Sequence, residues 1–190
     1  MFLNELKNKP KTGASLMQAE KSMLVLVDYQ GRLMPAIADA TTVIANAKRL
    51  LAAADLLSVP AIFTEQNAKG IGPTTTQLEV ENRTVIAKET FGACATPAFI
   101  EAIGKHQDIV LAGCEAHVCV TQTVLGLLEL GRRVFVVRDA TGARTAESKE
   151  TALLRMMRNG AEIVTTEMVV FEWLQNSQHD KFKQALALVK

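Results

Sequence analysis

The sequence predicts an α/β domain built on a parallel sheet, and two observations predict it. Short apolar runs alternate with longer segments whose apolar residues recur every three or four positions. The helix-type segments are also closed by glycine or proline, as helix ends require. This βαβ rhythm implies a mostly parallel sheet covered on both faces by helices. A chain of 190 residues is long enough for one such domain with a full core and too short for two ordinary ones.

The strand candidates, in order, are Met23–Val27, Ala61–Thr64, Thr84–Ala87, Ile109–Ala112, Val134–Val137 and Glu162–Thr165. Between them lie helix candidates at Val43–Leu57, Pro97–Lys105, Val118–Leu130 and Ala146–Arg158. Pro60 follows the first helix candidate, and Gly131 and Gly160 follow the last two. The stretch from Gln66 to Thr76 is rich in Gly, Pro and Thr and reads as the one long loop, a place where function is often carried. Two short helices, Val169–Leu174 and His179–Val189, are expected in the C-terminal segment 168–190, and residues 1–20 are expected to form an N-terminal extension to a single domain.

Composition narrows the function classes. The chain is 48% hydrophobic with a formal net charge of +1, and its 21 basic and 20 acidic residues are interspersed. No concentrated basic surface of the kind phosphate backbones need is evident, so nucleic acid is not an expected partner. No apolar run approaches the ~20 residues that span a bilayer, so no membrane association is expected. The N-terminal residues lack the apolar middle of a signal peptide. Three cysteines, at 94, 114 and 119, have no metal-type CxxC spacing and no framework pattern, which suits a reducing compartment. The expected location is the cytoplasm.

In an open parallel sheet, ligands bind beyond the C-terminal strand ends, near the point where strand order reverses. Asp28, Glu65, Lys88, the Cys114–Cys119 segment and Asp139 all fall just past strand candidates and so share one edge of the sheet. Taken singly, each has a bland reading. Asp28 is equally a helix cap or a tie to a loop. Lys88 reads as a solvated strand end, and Cys119 as a small core residue. Together they supply what a cysteine hydrolase requires. A thiol near a helix start is placed where backbone N–H groups favour the thiolate. Asp28 is positioned to accept its proton, and Lys88 to favour the charged forms of both. The carbonyl attack then needs N–H donors aimed at the developing oxyanion, which the backbone around Glu115 and Cys119 would supply.

Asp28-Tyr29-Gln30, Lys88 and the run Gly113-Cys114-Glu115-Ala116-His117-Val118-Cys119-Val120 resemble the motifs of the isochorismatase-like cysteine hydrolases. The resemblance runs from about Met23 to Thr166. It is strongest to the uncharacterised isochorismatase-domain branch, where Thr64-Glu65-Gln66-Asn67-Ala68-Lys69-Gly70-Ile71-Gly72-Pro73-Thr74 has counterparts. It implies a three-layer, Rossmann-like fold with a six-stranded parallel sheet and a catalytic triad of Asp28, Lys88 and Cys119. It also implies a non-proline cis peptide at Cys114–Glu115 and an oxyanion hole from the amides of Glu115 and Cys119. Tyr29, Phe91 and His117 are expected at the substrate pocket, with core packing as the alternative for Phe91 and His117. Cys94 is expected to be structural, with no disulfide between Cys114 and Cys119. Family members with a metal carry an Asp-x-His pair after the second strand. Here that region reads Glu65-Gln66-Asn67, so neither metal nor cofactor is expected.

The expected activity is hydrolysis of a small amide, carbamoyl or imide compound through a thioester. The alternatives are an isochorismatase-like ether or ester hydrolase and a non-catalytic binding module on the same fold. A dinucleotide-dependent enzyme is disfavoured, because Asp28-Tyr29-Gln30-Gly31-Arg32 after the first strand is not a glycine-rich phosphate turn. Family members commonly assemble as dimers or larger, and a homo-oligomer is expected.

Overall fold

A computed structural model describes residues 15–190; residues 1–14 of the expected N-terminal extension lie outside them. Six strands form one parallel sheet: β1 (Ser22–Val27), β2 (Ala61–Gln66), β3 (Thr84–Lys88), β4 (Asp108–Gly113), β5 (Arg133–Val137) and β6 (Glu162–Val164). Their spatial order is β3-β2-β1-β4-β5-β6, and every pairing is parallel. The order reverses between β1 and β4. The chain winds outward from β1 through β2 and β3, then returns across to β4, leaving a crevice above the carboxyl ends of β1 and β4.

Strand alternation sorts the core into two layers. Leu24 and Leu26 of β1 point to one face with Phe63, Val110, Ala112, Phe135 and Val137. That face is covered by α1 (Ala40–Leu56), α6 (Thr166–Leu174) and α7 (Phe182–Val189). Met23, Val25 and Val27 point to the other, with Ile62, Ile86, Ile109 and Leu111. Helices α3 (Pro97–Ile103), α4 (Thr121–Glu129) and α5 (Ala146–Arg158) cover it through residues such as Phe99, Val124 and Met156. The long apolar runs of β1 and β4 are buried along their whole length, as central parallel strands demand.

The strand and helix expectations are met with small changes of boundary. Strand β2 runs two residues further than the sequence reading, to Gln66, which matters for the site. The region read as one loop, 66–76, contains a single helical turn, α2 (Ala68–Ile71). The helix expected from Val118 begins instead with a π-helical turn, Ala116–Val120, ahead of α4. Helix α7 begins at Phe182 rather than His179, because residues 176–181 form turns.

Gly113 is the tightest point of the crevice. A Cβ there would lie 2.2 Å from the Val27 carbonyl oxygen and 2.7 Å from Val27 Cβ. Its φ of 153° is also one that side chains rarely adopt. Only glycine lets the ends of β1 and β4 approach so closely. Gly113→Ala is therefore expected to destabilise the protein by about 2 kcal/mol or more, because the clash is with backbone and cannot be relieved by a rotamer change. Urea unfolding monitored by circular dichroism tests this; an unchanged midpoint would contradict it.

Candidate active site

Asp28 ends β1 in a left-handed turn, with φ 52°, a conformation that aspartate tolerates better than most residues. A continued strand would place its side chain on the face of Leu24 and Leu26. The turn breaks the alternation, and the carboxylate meets residues of the opposite face. Its Oδ2 accepts from Lys88 Nζ at 2.7 Å, and its Oδ1 accepts from Thr64 Oγ1 at 2.6 Å. Both partners of the ion pair are buried, with side-chain exposures of 0% for Lys88 and 1% for Asp28. The remaining Lys88 donors are directed at Gln66 Oε1, 2.8 Å away, and at the Thr90 carbonyl at 3.4 Å.

The Cys119 thiol lies close enough to this pair that both the Asp28 carboxylate and the Lys88 ammonium act on its ionisation. Cys119 retains 7% exposure, so it borders solvent. Burial pushes its thiol up to about 12, the Asp28 charge adds to the rise, and Lys88 opposes it. This corrects the sequence-based expectation of a thiolate favoured by a helix start. Cys119 sits inside the π-helical turn that opens α4, and loss of water there outweighs the effect of Lys88. At neutral pH the sulfur carries its proton beside a carboxylate able to receive it.

The segment before Cys119 has the expected backbone form: the Cys114–Glu115 peptide is cis. Among the described residues, the Glu115 N–H donates to no protein acceptor. The Glu115 side chain is held by Arg144, at 2.8 Å. His117 is half-buried, and its Nδ1 is buried without a hydrogen-bond partner among the described residues. Phe91 is 54% exposed, two residues after the strand-end segment that carries Lys88 and Glu89. It stands out from the surface rather than in the core.

Three sequence-based assignments are revised. Tyr29 is fully buried on the α1 side of the sheet, with its hydroxyl donated to the Ala140 carbonyl, so it packs the core instead of lining a pocket. Burial raises its phenol well above the ordinary value. Glu65, one residue out of phase with Thr64 and Gln66, turns to the other face; its Oε1 accepts from the backbone N–H and hydroxyl of Thr74 and so fastens the 66–76 segment. Asp139 Oδ1 likewise accepts from the N–H and hydroxyl of Thr166, fixing the start of α6.

The sequence reading missed Thr64, Gln66 and Gln30. Thr64 is in register with Val27, and Gln66 with Lys88. The signal was the two-residue spacing of Thr64 and Gln66, which puts both on one face of a strand lying between β1 and β3. Gln30 is fully buried; its Oε1 accepts from Gln66 N–H at 2.8 Å, and its Nε2 donates to the carbonyls of Gln66 and Gly72.

Two cavities, of about 280 and 220 Å³, open beside Leu51, Asp55 and Arg83 and beside Lys21, Lys105 and His106. Both lie toward the amino ends of the strands and include none of the Asp28, Lys88 and Cys119 side chains. Chemistry rather than cavity volume locates the site. Among the described residues, no group of three His, Cys, Asp or Glu side chains is arranged to hold a metal ion. No helix among them is long and apolar enough to cross a membrane.

The Isochorismatase domain family matches residues 22–168, from the first residue of β1 into α6. The chain belongs to this family of hydrolases. Isochorismatase domain-containing protein 2 of Danio rerio is 34% identical over 179 residues, covering 93% of this chain and 91% of that protein. The solved structure of a Caenorhabditis elegans protein described as MAR1 ribonuclease superimposes with a TM-score of 0.88 at 35% identity, over 92% of each chain. YcaC of Escherichia coli, described as an octameric hydrolase of unknown specificity, gives a TM-score of 0.84 at 27% identity, over 95% of this chain and 90% of that one. YcaC of Pseudomonas aeruginosa, solved with hexane-2,5-diol and covalent acrylamide, gives 0.86 at 25% identity, over 93% and 92%. The family assignment places this chain in the isochorismatase-domain branch.

Cys114 is fully buried and free, and burial pushes its thiol up to about 12. A group whose value is raised on folding contributes stability below its unfolded value and loses it as pH climbs through the folded one. Folding stability is thus expected to fall as pH rises from about 9 toward 12, by up to about 4 kcal/mol from Cys114. Urea unfolding across this range should show a steeper decline for the native protein than for Cys114→Ala. Parallel declines would contradict the assignment.

Proposed function

We propose that this protein is a cysteine hydrolase of a small, uncharged or weakly charged amide, carbamoyl or imide compound, acting through a thioester. The observation that carries the reading is the Cys119 thiol placed beside the buried Asp28–Lys88 pair, where both charges act on it. As sulfur attacks the carbonyl carbon, the S–H proton passes to the Asp28 carboxylate and the carbonyl electrons move to oxygen. The N–H groups of Glu115 and Cys119 receive that oxyanion. Its collapse breaks the C–N bond, and Asp28 returns the proton to the departing nitrogen. A water molecule, losing a proton to Asp28, then attacks the thioester; the C–S bond breaks and the proton goes back to sulfur. Lys88 holds Asp28 in place and offsets the negative charge that passes over the trio.

The choice of a small neutral substrate rests on charge. Lys88 is satisfied by Asp28, and Arg144 by Glu115, so both cations at the site are already paired. Covalent acrylamide in the Pseudomonas relative supports a nucleophile able to reach a molecule of that size. Phe91 and His117 are the side chains assigned to the substrate's surroundings. Self-association is part of the proposal, supported by the octameric relative and by the exposed apolar side chains of Phe91, Met168 and Phe171. The expected setting is the cytoplasm.

A panel of small amides, ureides, esters and a vinyl ether, with an RNA oligonucleotide as a further arm, tests the reading with the purified protein. The expected outcome is release of ammonia or amine from the C–N compounds, an acyl adduct on Cys119 by mass spectrometry, and a loss of rate of about 10³-fold or more in Cys119→Ser, as for other unit-acting catalytic groups. Hydrolysis that persists in Cys119→Ser, or cleavage confined to the ether or the RNA, would overturn it.

A further inference from the structure

We infer that Gln66 is the positioning residue of the site: its side-chain amide holds the Lys88 ammonium in the orientation that presents it to Asp28 and Cys119 together. The inference rests on the proposed role of Cys119 and concerns a residue outside the triad. Gln66 is the register partner of Lys88 across the β2–β3 pair, so the two side chains leave the sheet side by side. Gln66 Oε1 accepts from Lys88 Nζ at 2.8 Å, and Gln66 Nε2 donates to the Glu89 carbonyl at 2.7 Å. The second bond fixes which end of the amide faces the lysine. A flipped amide would set an N–H against an ammonium and leave the Glu89 carbonyl without its donor.

The residue is itself locked. Gln30, fully buried, accepts from the Gln66 N–H and donates to the Gln66 carbonyl, so its side chain pairs with both backbone groups of the same residue. A chain of hydrogen bonds therefore runs from Gln30 through Gln66 and Lys88 to Asp28 and Thr64. An ammonium has three N–H donors in tetrahedral directions. With one committed to Asp28 and one to Gln66, the third is left between the Thr90 carbonyl, 3.4 Å away, and the Cys119 sulfur. Without the Gln66 oxygen, Lys88 is free to swing toward Thr90 and away from the thiol.

Neutrality is the second part of the role. A carboxylate at 66 would offer the lysine the same acceptor geometry, but it would compete with Asp28 for the single cation and place another negative charge near the sulfur. An amide is the one side chain of this shape that accepts from Lys88, donates to Glu89 and adds no charge.

The test is the rate of Cys119 alkylation by iodoacetamide at pH 8, followed by peptide mass spectrometry, in the native protein, Gln66→Met and Gln66→Glu. Both variants are expected to react about tenfold more slowly, the change in thiolate fraction that one pKa unit produces, with Gln66→Glu the slower despite its near-identical shape. A role limited to packing would instead spare the isosteric Gln66→Glu. Asp28→Asn is run alongside and is expected to react more slowly than native protein, because it removes the group that receives the thiol proton. Slowed alkylation in Asp28→Asn with native rates in both folded Gln66 variants would overturn the inference and leave the proposed function standing. A native or faster rate in Asp28→Asn would overturn the proposed function itself. Should Gln66→Met fail to fold, Gln66→Glu alone decides, a native rate there being contradictory.

Discussion

The ion pair between Asp28 and Lys88 is the constraint on which the rest of the site depends. Two opposite charges sit 2.7 Å apart with almost no exposure, in the cleft where three strands end. Taking such charges out of water is costly, and the cost is tolerable only where geometry is good and every remaining donor and acceptor is occupied. Thr64 occupies the second carboxylate oxygen, and Gln66 a second ammonium donor. Each of these groups stands on a different position of β1, β2 or β3, so the sheet register itself assembles them. Gly113 brings the end of β4 against β1, and with it the turn that carries Cys119.

The thiol is then governed by a balance of opposing effects. Desolvation raises it, the adjacent carboxylate raises it further, and the ammonium lowers it. Desolvation wins, so the resting sulfur is neutral. In the proposed reaction, the sulfur keeps its proton until a substrate is present, with the Asp28 carboxylate beside it as the acceptor. The same physics applies to Cys114 behind it and to Cys94, whose thiol burial pushes up to about 11.

Much of this was legible in the chain because it depends on strand ends. The apolar runs before Asp28, Lys88 and Gly113 fix where β1, β3 and β4 stop, and residues that follow parallel strands share an edge whatever their order. The motif residues around Cys119 carried the family and the cis linkage. What could not be read was direction. Asp28 reaches the correct face only through a left-handed turn, which a strand pattern does not encode. Tyr29, its neighbour, falls to the opposite face for the same reason. Glu65 and Asp139 looked like site residues by position, yet Glu65 turns away to fasten the 66–76 segment and Asp139 to fix the start of α6. Gln66 was hidden because a polar residue just past an apolar run looks like the start of a loop, and Thr64, though read as part of the strand, because only the lateral neighbour β1 gives it its partner.

The most direct test of the ion pair's central place is a comparison of equilibrium unfolding for Lys88→Met and for Lys88→Met combined with Asp28→Leu. The single change strands a buried carboxylate and is predicted to cost about 3–5 kcal/mol, whereas the double change replaces both charges by apolar groups and is predicted to recover most of that loss. A single variant as stable as the native protein, or a double variant no more stable than the single, would contradict the account.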